Sequence, residues 1–284
     1  MKAGGTPRAT SRVRSPAPAP ARTDGVPKPP APAPAGGQQG WVSFVEFDPD
    51  LNPHAGGWSP QACRRLVARV AQVLQGPFAP EQLVDAPTKS LGLMVLDGLA
   101  LVQVAAGRAP IGWLIGAEDL VRPWEMTENS LLKDASWVAL SPLRIALLDG
   151  EFARRASGMD SVTEALLTKV AQTSHWLFAK SLVTGTSVIE ERLLLLFAAL
   201  GERWGKATSA GVLVAMPLTH QVLATLIGAR RPSVSTALSE LSAAGLLRRT
   251  AEGWLLCRNC TGGGRPRQPR CWPKYAETLG FALN

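Results

Sequence analysis

The spacing of apolar residues changes character three times along the chain. In "SPQACRRLVARVAQVLQG", residues 59–76, Leu66, Val70, Val73 and Leu74 share one helical face between Ser59-Pro60 and Gly76, which predicts a helix. From residue 91 the period shortens. "LGLMVLDGLALVQV" places Asp97-Gly98 between two apolar runs, the pattern of a tight hairpin turn, and "IGWLIG", "SWVALS" and "RIALLD" follow as further short strands. Several short strands with turn residues between them predict a small sandwich or barrel. The helical period returns near Ser161, where Leu166, Val170, Thr173 and Leu177 follow a 4-3-4 spacing. Such a face serves either as a seam with a second copy of the helix or as packing against the chain's own barrel, and periodicity leaves both open. "LVTGTS" then reads as a hinge, and Ser187 with Glu190 as a capping box opening the helix "VIEERLLLLFAALGERWG".

Two short amphipathic patterns follow. Leu218, Val222, Leu223, Leu226 and Ile227 form one inner face from about Thr219 to Gly228, and Val234, Leu238 and Leu241 form another that ends at Gly245. Two short helices around a glycine turn make a helix-turn-helix. With the apolar faces inward, Arg230, Arg231, Ser233 and Thr236 lie outward at the start of the second helix, the end that meets base edges in a major groove. Pro232 in the first turn removes only an amide that has no helical partner there. "LLRRTAEGWLL" adds a hairpin carrying Arg248 and Arg249, so the order is that of a winged helix. A winged helix also serves protein docking; arginines at the reading end favour DNA.

Charge sharpens this picture. The net charge is +8, and residues 1–40 carry +5, residues 216–257 +2 and residues 258–284 +4, which leaves −3 on residues 41–215. Basicity confined to the tails and the last third suits an acidic partner, most often nucleic acid. Residues 1–40 hold nine prolines and eight alanines and little to bury, which predicts a disordered tether. No apolar stretch reaches the roughly 20 residues of a membrane span. The chain is expected to be soluble and cytoplasmic.

The stretch "PLTHQVLATLIGARRPSVSTALSELSAAGLLRR" resembles the DNA-binding domain of the Crp/Fnr transcription regulators, through Leu218-Thr219, Ala224, Ile227-Gly228, "RRPSVS", Leu238, Leu241 and "GLL". The resemblance is specific over about thirty residues and weaker back to about residue 76. It implies an α+β chain with an N-terminal β jelly-roll of the cyclic-nucleotide-binding type, a long dimerisation helix and a C-terminal winged helix-turn-helix. The expected boundaries are 1–40 for the tail, 41–160 for the sensor, 161–186 for the dimerisation helix and hinge, 187–257 for the winged helix and 258–284 for a basic tail. It also implies a homodimer on a palindromic double-stranded DNA operator, with RNA polymerase as a further partner. Base reading falls to Arg231, Pro232 and Thr236, and phosphate contacts to Thr219, Gln221, Arg230 and Ser233. Members that bind cyclic AMP carry a glycine-glutamate turn and an arginine before a small residue. "EMTENSLLKDAS", residues 125–136, has neither, and Arg155-Ala156-Ser157 comes after the last strand. The expected effector is therefore something other than cyclic AMP, or none.

Other chemistry finds little support. An iron–sulfur sensor needs clustered cysteines in the N-terminal domain, which has only Cys63. Cys257, Cys260 and Cys271 have a C-x2-C-x10-C spacing without a fourth ligand nearby, so zinc competes with simple packing of Cys257. Four cysteines in so long a chain suggest reduced thiols rather than a disulfide framework. Of the histidines, His54 has no assignment, His175 reads as packed or solvent-facing, and His220 as facing phosphate. "TGGGRPRQPR" lacks the lysine and the strand-to-helix setting of a phosphate loop, and no paired acids or activated nucleophile occur. The expectation is a regulator, not an enzyme, with no metal and no cofactor.

Overall fold

The computed structural model describes Met1 and residues 40–44, 65–106, 109–129 and 131–257. The expected tails, His54, Cys63, Cys260 and Cys271 lie outside the described residues. The first half is an antiparallel sandwich of the jelly-roll kind. One sheet has the order β1-β2-β9-β4-β7, with β1 Gly40–Ser43, β2 Val67–Val73, β9 Leu143–Leu148, β4 Gly92–Asp97 and β7 Leu120–Val121. The other has the order β3-β8-β5-β6, with β3 Gly76–Phe78, β8 Ser136–Ala139, β5 Leu99–Ala106 and β6 Ala109–Gly116. Their inner faces meet around Val95, Val102, Ile115, Trp137 and Ile145.

Two local expectations are corrected here. Residues 67–73 are a strand, not a helix. β2 sits between two partners, with Val70 opposite Gly40 on β1 and opposite Ala146 on β9. Ala68 and Val73 are buried on opposite faces of the strand, Val70 is buried too, and Leu74 is left exposed. The β-branched valines suit a pleated surface, and a helix here would leave the backbone of both neighbouring strands unpaired. The turn at Asp97-Gly98 is real but closes no hairpin. β4 pairs with β7 and β9, whereas β5 pairs with β6 and β8, so the turn carries the chain from one sheet to the other.

Short helices α1 (Pro123–Thr127) and α2 (Gly150–Ala156) flank the sandwich, and α2 is capped by Asp149, whose carboxylate accepts from the N–H groups of Glu151 and Phe152. α3 then runs from Asp160 to Gly185. Its inward face is Val162, Lys169, Trp176, Lys180 and Val183; Leu167, Val170, Leu177, Phe178 and Leu182 are exposed. The 4-3-4 seam is therefore split. Thr173 and the half-buried Leu166 belong to the chain's own packing, and only Val170 and Leu177 stay on the open side.

α4, Ile189–Trp204, contains "LLLLFAAL", apolar on every side, and Leu193 to Ala198 are all buried. Such a helix must be covered all round. α3 and the sensor sheet cover one side; α5 (His220–Ile227), α6 (Arg231–Ala243) and the wing cover the other. The expected Ser187–Glu190 capping box does not form, because the N-cap residue is Val188 and it makes no side-chain cap. Arg192 does the local bonding instead, its Nε donating to Thr186 O at 2.6 Å and its Nη1 to Ile227 O at 3.1 Å. The C-terminal sheet has the order β10-β11-β13-β12, with β10 Lys206–Thr208, β11 Gly211–Val214, β12 Leu247–Arg249 and β13 Trp254–Cys257. Cys257 is packed in the core at the end of β13, 3% exposed. Among the described residues no helix is long and apolar enough to cross a membrane.

Candidate nucleic-acid interface

α5 begins at Thr219, whose Oγ1 accepts from Val222 N–H at 3.2 Å, and ends at Gly228. Gly228 has φ +64°, a left-handed conformation costly for any residue with a Cβ, and Ala229 N–H closes the helix end on Ala224 O at 2.9 Å. This abrupt stop aims the chain into α6. Val234, Ala237, Leu238 and Leu241 turn inward on α6; Arg230, Arg231, Pro232, Ser233 and Thr236 are exposed at its start. No side chain caps α6, so its first-turn amides and the positive end of its dipole face outward with the arginines.

The hydroxyls near this end are ordered. Thr236 Oγ1 donates to Pro232 O at 3.3 Å and Ser235 Oγ to Arg231 O at 3.1 Å, which leaves the oxygen lone pairs outward as acceptors. His220 Nδ1 lies 2.9 Å from Ser235 Oγ and ties the start of α5 to the first turn of α6. Trp254 on the wing donates from Nε1 to Leu218 O at 3.0 Å, and the Arg249 guanidinium stacks 5.0 Å above its ring. Wing and helices thereby enclose a hollow of about 690 Å³ lined by Thr219, His220, Gln221, Arg231 and Arg249, with no carboxylate in its wall. Of the expected site residues, Thr219, Gln221 and Arg231 meet in this hollow. Arg230, Pro232, Ser233 and Thr236 lie on the open start of α6.

Sequence reasoning missed a second polar centre. Asp119, 1% exposed, accepts from Gly116 N–H at 2.8 Å, Thr173 Oγ1 at 3.0 Å and Arg203 Nη2 at 2.5 Å. It thus joins the β6–β7 turn, α3 and α4. The Arg203 guanidinium is stacked on Trp204 at 4.3 Å and on Trp176 at 5.3 Å, and Lys169 reaches Glu118 at 2.8 Å. Glu118 itself has φ +73°, local strain of about 1 kcal/mol that the two ion pairs hold in place. A further contact joins sensor and winged helix, since α5 packs directly on β6. A Cβ on Gly112 would come within 2.8 Å of Thr225 Cγ2, so the strand must offer a glycine there. His175, in contrast, is exposed on α3, and Arg155 on α2 pairs with Glu151, away from the sandwich interior.

Residues 191–260 match the family model described as the Crp-like helix-turn-helix domain. Those residues carry a Crp-like helix-turn-helix domain. Solved structures with the same fold include a cyclic nucleotide-binding domain containing protein from Listeria monocytogenes EGD-e (18% identity, 66% of this chain and 89% of that one, TM-score 0.54). A CooA mutant from Carboxydothermus hydrogenoformans (14%, 80% and 93%, TM-score 0.54) and FixK2 from Bradyrhizobium japonicum (16%, 76% and 99%, TM-score 0.52) are similar over more of the chain. At these identities the likeness speaks for the fold alone. No curated protein sequence matches the chain. The Crp-like domain is the part built from α4, α5, α6 and the wing, and it supports a DNA-binding transcription regulator.

Proposed function

We propose that this Crp/Fnr-type regulator binds a palindromic operator as a cytoplasmic homodimer, without enzymatic activity of its own. The observation that carries this reading is the uncapped, arginine-bearing start of α6 beside a hollow lined by two guanidiniums and no carboxylate. Arg231, Pro232 and Thr236 read bases: the arginine by bidentate donation to guanine, Thr236 through its free lone pair and its methyl group. Thr219, Gln221, Arg230 and Ser233 hold phosphates, joined by Arg249 on the wing. The exposed Val170, Leu177 and Phe178 face of α3 is the dimer seam, which sets two α6 helices for half-sites one helical turn apart. RNA polymerase is the expected partner of the bound dimer. Its effector is something other than cyclic AMP, or none, because residues 125–136 carry neither the glycine-glutamate turn nor the arginine that grip a cyclic phosphate.

Selection of random double-stranded DNA at near-physiological salt, with and without Arg231→Ala, tests the proposal. A palindrome whose preference weakens in the variant by about 1–3 kcal/mol at one position per half-site is expected. Binding without sequence preference that fades steeply with salt in both proteins refutes it and leaves protein docking as the role of the winged helix.

A further inference from the structure

We propose that His220 makes DNA binding proton-linked: its imidazole takes up a proton as a phosphate of the duplex enters the hollow beside α6, and affinity rises as pH falls from about 8 to about 6. The proposal rests on the regulator reading above and adds a regulatory ligand, the proton, to its interface.

The hydrogen bonds around the ring fix its tautomer. Ser235 has a single hydroxyl proton and donates it to Arg231 O at 3.1 Å. The contact of 2.9 Å between Ser235 Oγ and His220 Nδ1 must then take its proton from the imidazole, so the neutral ring carries its proton on Nδ1. That leaves Nε2 as a bare lone pair. A phosphate oxygen repels a lone pair, whereas the same atom with a second proton is a charged donor. The neutral ring therefore resists the contact that the protonated ring makes.

The surroundings make the phosphate the counter-ion of that charge. His220 opens α5 and lines the hollow together with Arg231 from the start of α6 and Arg249 from the wing. Among the described residues these two cations are the charged groups of its wall, Thr219 and Gln221 are neutral, and Trp254 closes the side toward β13 with its ring centre 6.1 Å from the imidazole. No carboxylate of the wall competes with the phosphate for a protonated His220. Protonation and phosphate binding thus strengthen each other, and by linkage each phosphate held at Nε2 draws in up to one proton. Arg231 and Arg249 keep their charge at every physiological pH, so acidity tunes the affinity of the interface without switching it off.

The test uses the full-length protein and a rhodamine-labelled pool of random-sequence duplexes, before and after selection on the protein, at constant ionic strength. Selected duplexes should bind at least about tenfold more tightly at about pH 6 than at about pH 8. Calorimetry in two buffers of different ionisation enthalpy should count up to one proton taken up per half-site. His220→Gln cannot acquire the charge and should bring the ratio of affinities to within about twofold of unity. His220→Arg carries the charge permanently, so it should show the same flat profile while binding more tightly than His220→Gln at about pH 8. A ratio that persists in His220→Gln overturns the proposal, as does a flat profile in the wild-type protein. Should both variants unfold, the wild-type calorimetry decides alone, and the lack of proton uptake overturns it. Sequence preference with equal affinity at both pH values sinks the His220 assignment only; a pH-dependent affinity shared alike by selected and unselected duplexes sinks the operator reading only.

Discussion

The Asp119–Arg203 pair allows a sharp prediction about what holds sensor and winged helix together. Arg203→Met keeps the aliphatic stem but leaves the Asp119 carboxylate, 1% exposed, with only two neutral donors, Gly116 N–H and Thr173 Oγ1. Orphaning a buried charge costs about 3–5 kcal/mol, and these two donors argue for the lower end, about 3 kcal/mol. Asp119→Asn keeps the side-chain shape and removes the charge. Arg203 remains partly hydrated and stacked on two rings, so this change costs about 2 kcal/mol, the scale of one charge-assisted hydrogen bond. The double variant no longer has a charge to strand at Asp119 and should cost about 3 kcal/mol rather than the sum, a coupling of about 2 kcal/mol. Thermal melting at fixed protein concentration measures each term, at roughly 2–4 °C per kcal/mol for a chain of this size. Arg203→Met should lower the midpoint by about 6–12 °C, and adding Asp119→Asn should lower it little further. Additive losses, within about 0.5 kcal/mol, would refute the view that the two side chains form one buried unit.

Lys180, 8% exposed, makes no ion pair among the described residues, and burial lowers its ammonium pKa from 10.5 to about 8. The folded chain therefore binds fewer protons than the unfolded one between about pH 8 and 10.5: stability rises across that window, and below it the full penalty of about 3 kcal/mol stands. Lys180→Met should raise the melting midpoint at pH 7 and abolish the rise above pH 8; an unchanged pH profile counts against burial as the cause. Gly112→Ala brings a methyl within 2.6 Å of Val102 O and 2.8 Å of Thr225 Cγ2, so α5 should lift from β6 and residues 186–188 become more sensitive to protease, with part of the protection restored by Thr225→Ser. Unchanged cleavage would show that α5 does not depend on this contact. Leu177→Glu with Phe178→Glu places charge on the exposed side of α3 and should yield a monomer by sedimentation, with operator binding reduced at least about a hundredfold through loss of the second half-site. A dimer that survives would move the seam elsewhere.

The winged helix was legible in the sequence because its determinants are near neighbours. Leu218 to Ile227 and Val234 to Leu241 repeat at helical spacing, Gly228 supplies the left-handed turn between them, and Arg248-Arg249 precede the turn of the wing. Each of these is decided within a few residues, so the order of elements and the outward placement of Arg230, Arg231, Ser233 and Thr236 follow from local periodicity alone. Strands at 109–116, 136–139 and 143–148 were legible for the same reason. The short run at 67–73 was not. "VARVAQV" satisfies a helical and an alternating pattern at once, and the choice was made by two strands 24 or more residues away in sequence, β1 and β9.

What the sequence by itself determined is thus the helix-turn-helix and wing order and which residues stand exposed at the start of α6. Tertiary structure alone decided which face of α3 turns inward, that the Asp97-Gly98 turn changes sheets, and that Asp119 meets an arginine 84 residues later. It also decided the hollow beside α6, whose walls come from both helices and the wing. The division has one physical cause. Helix phase and turn geometry are properties of neighbouring residues, whereas burial, ion pairing and the shape of a void exist only once distant segments have been brought into contact.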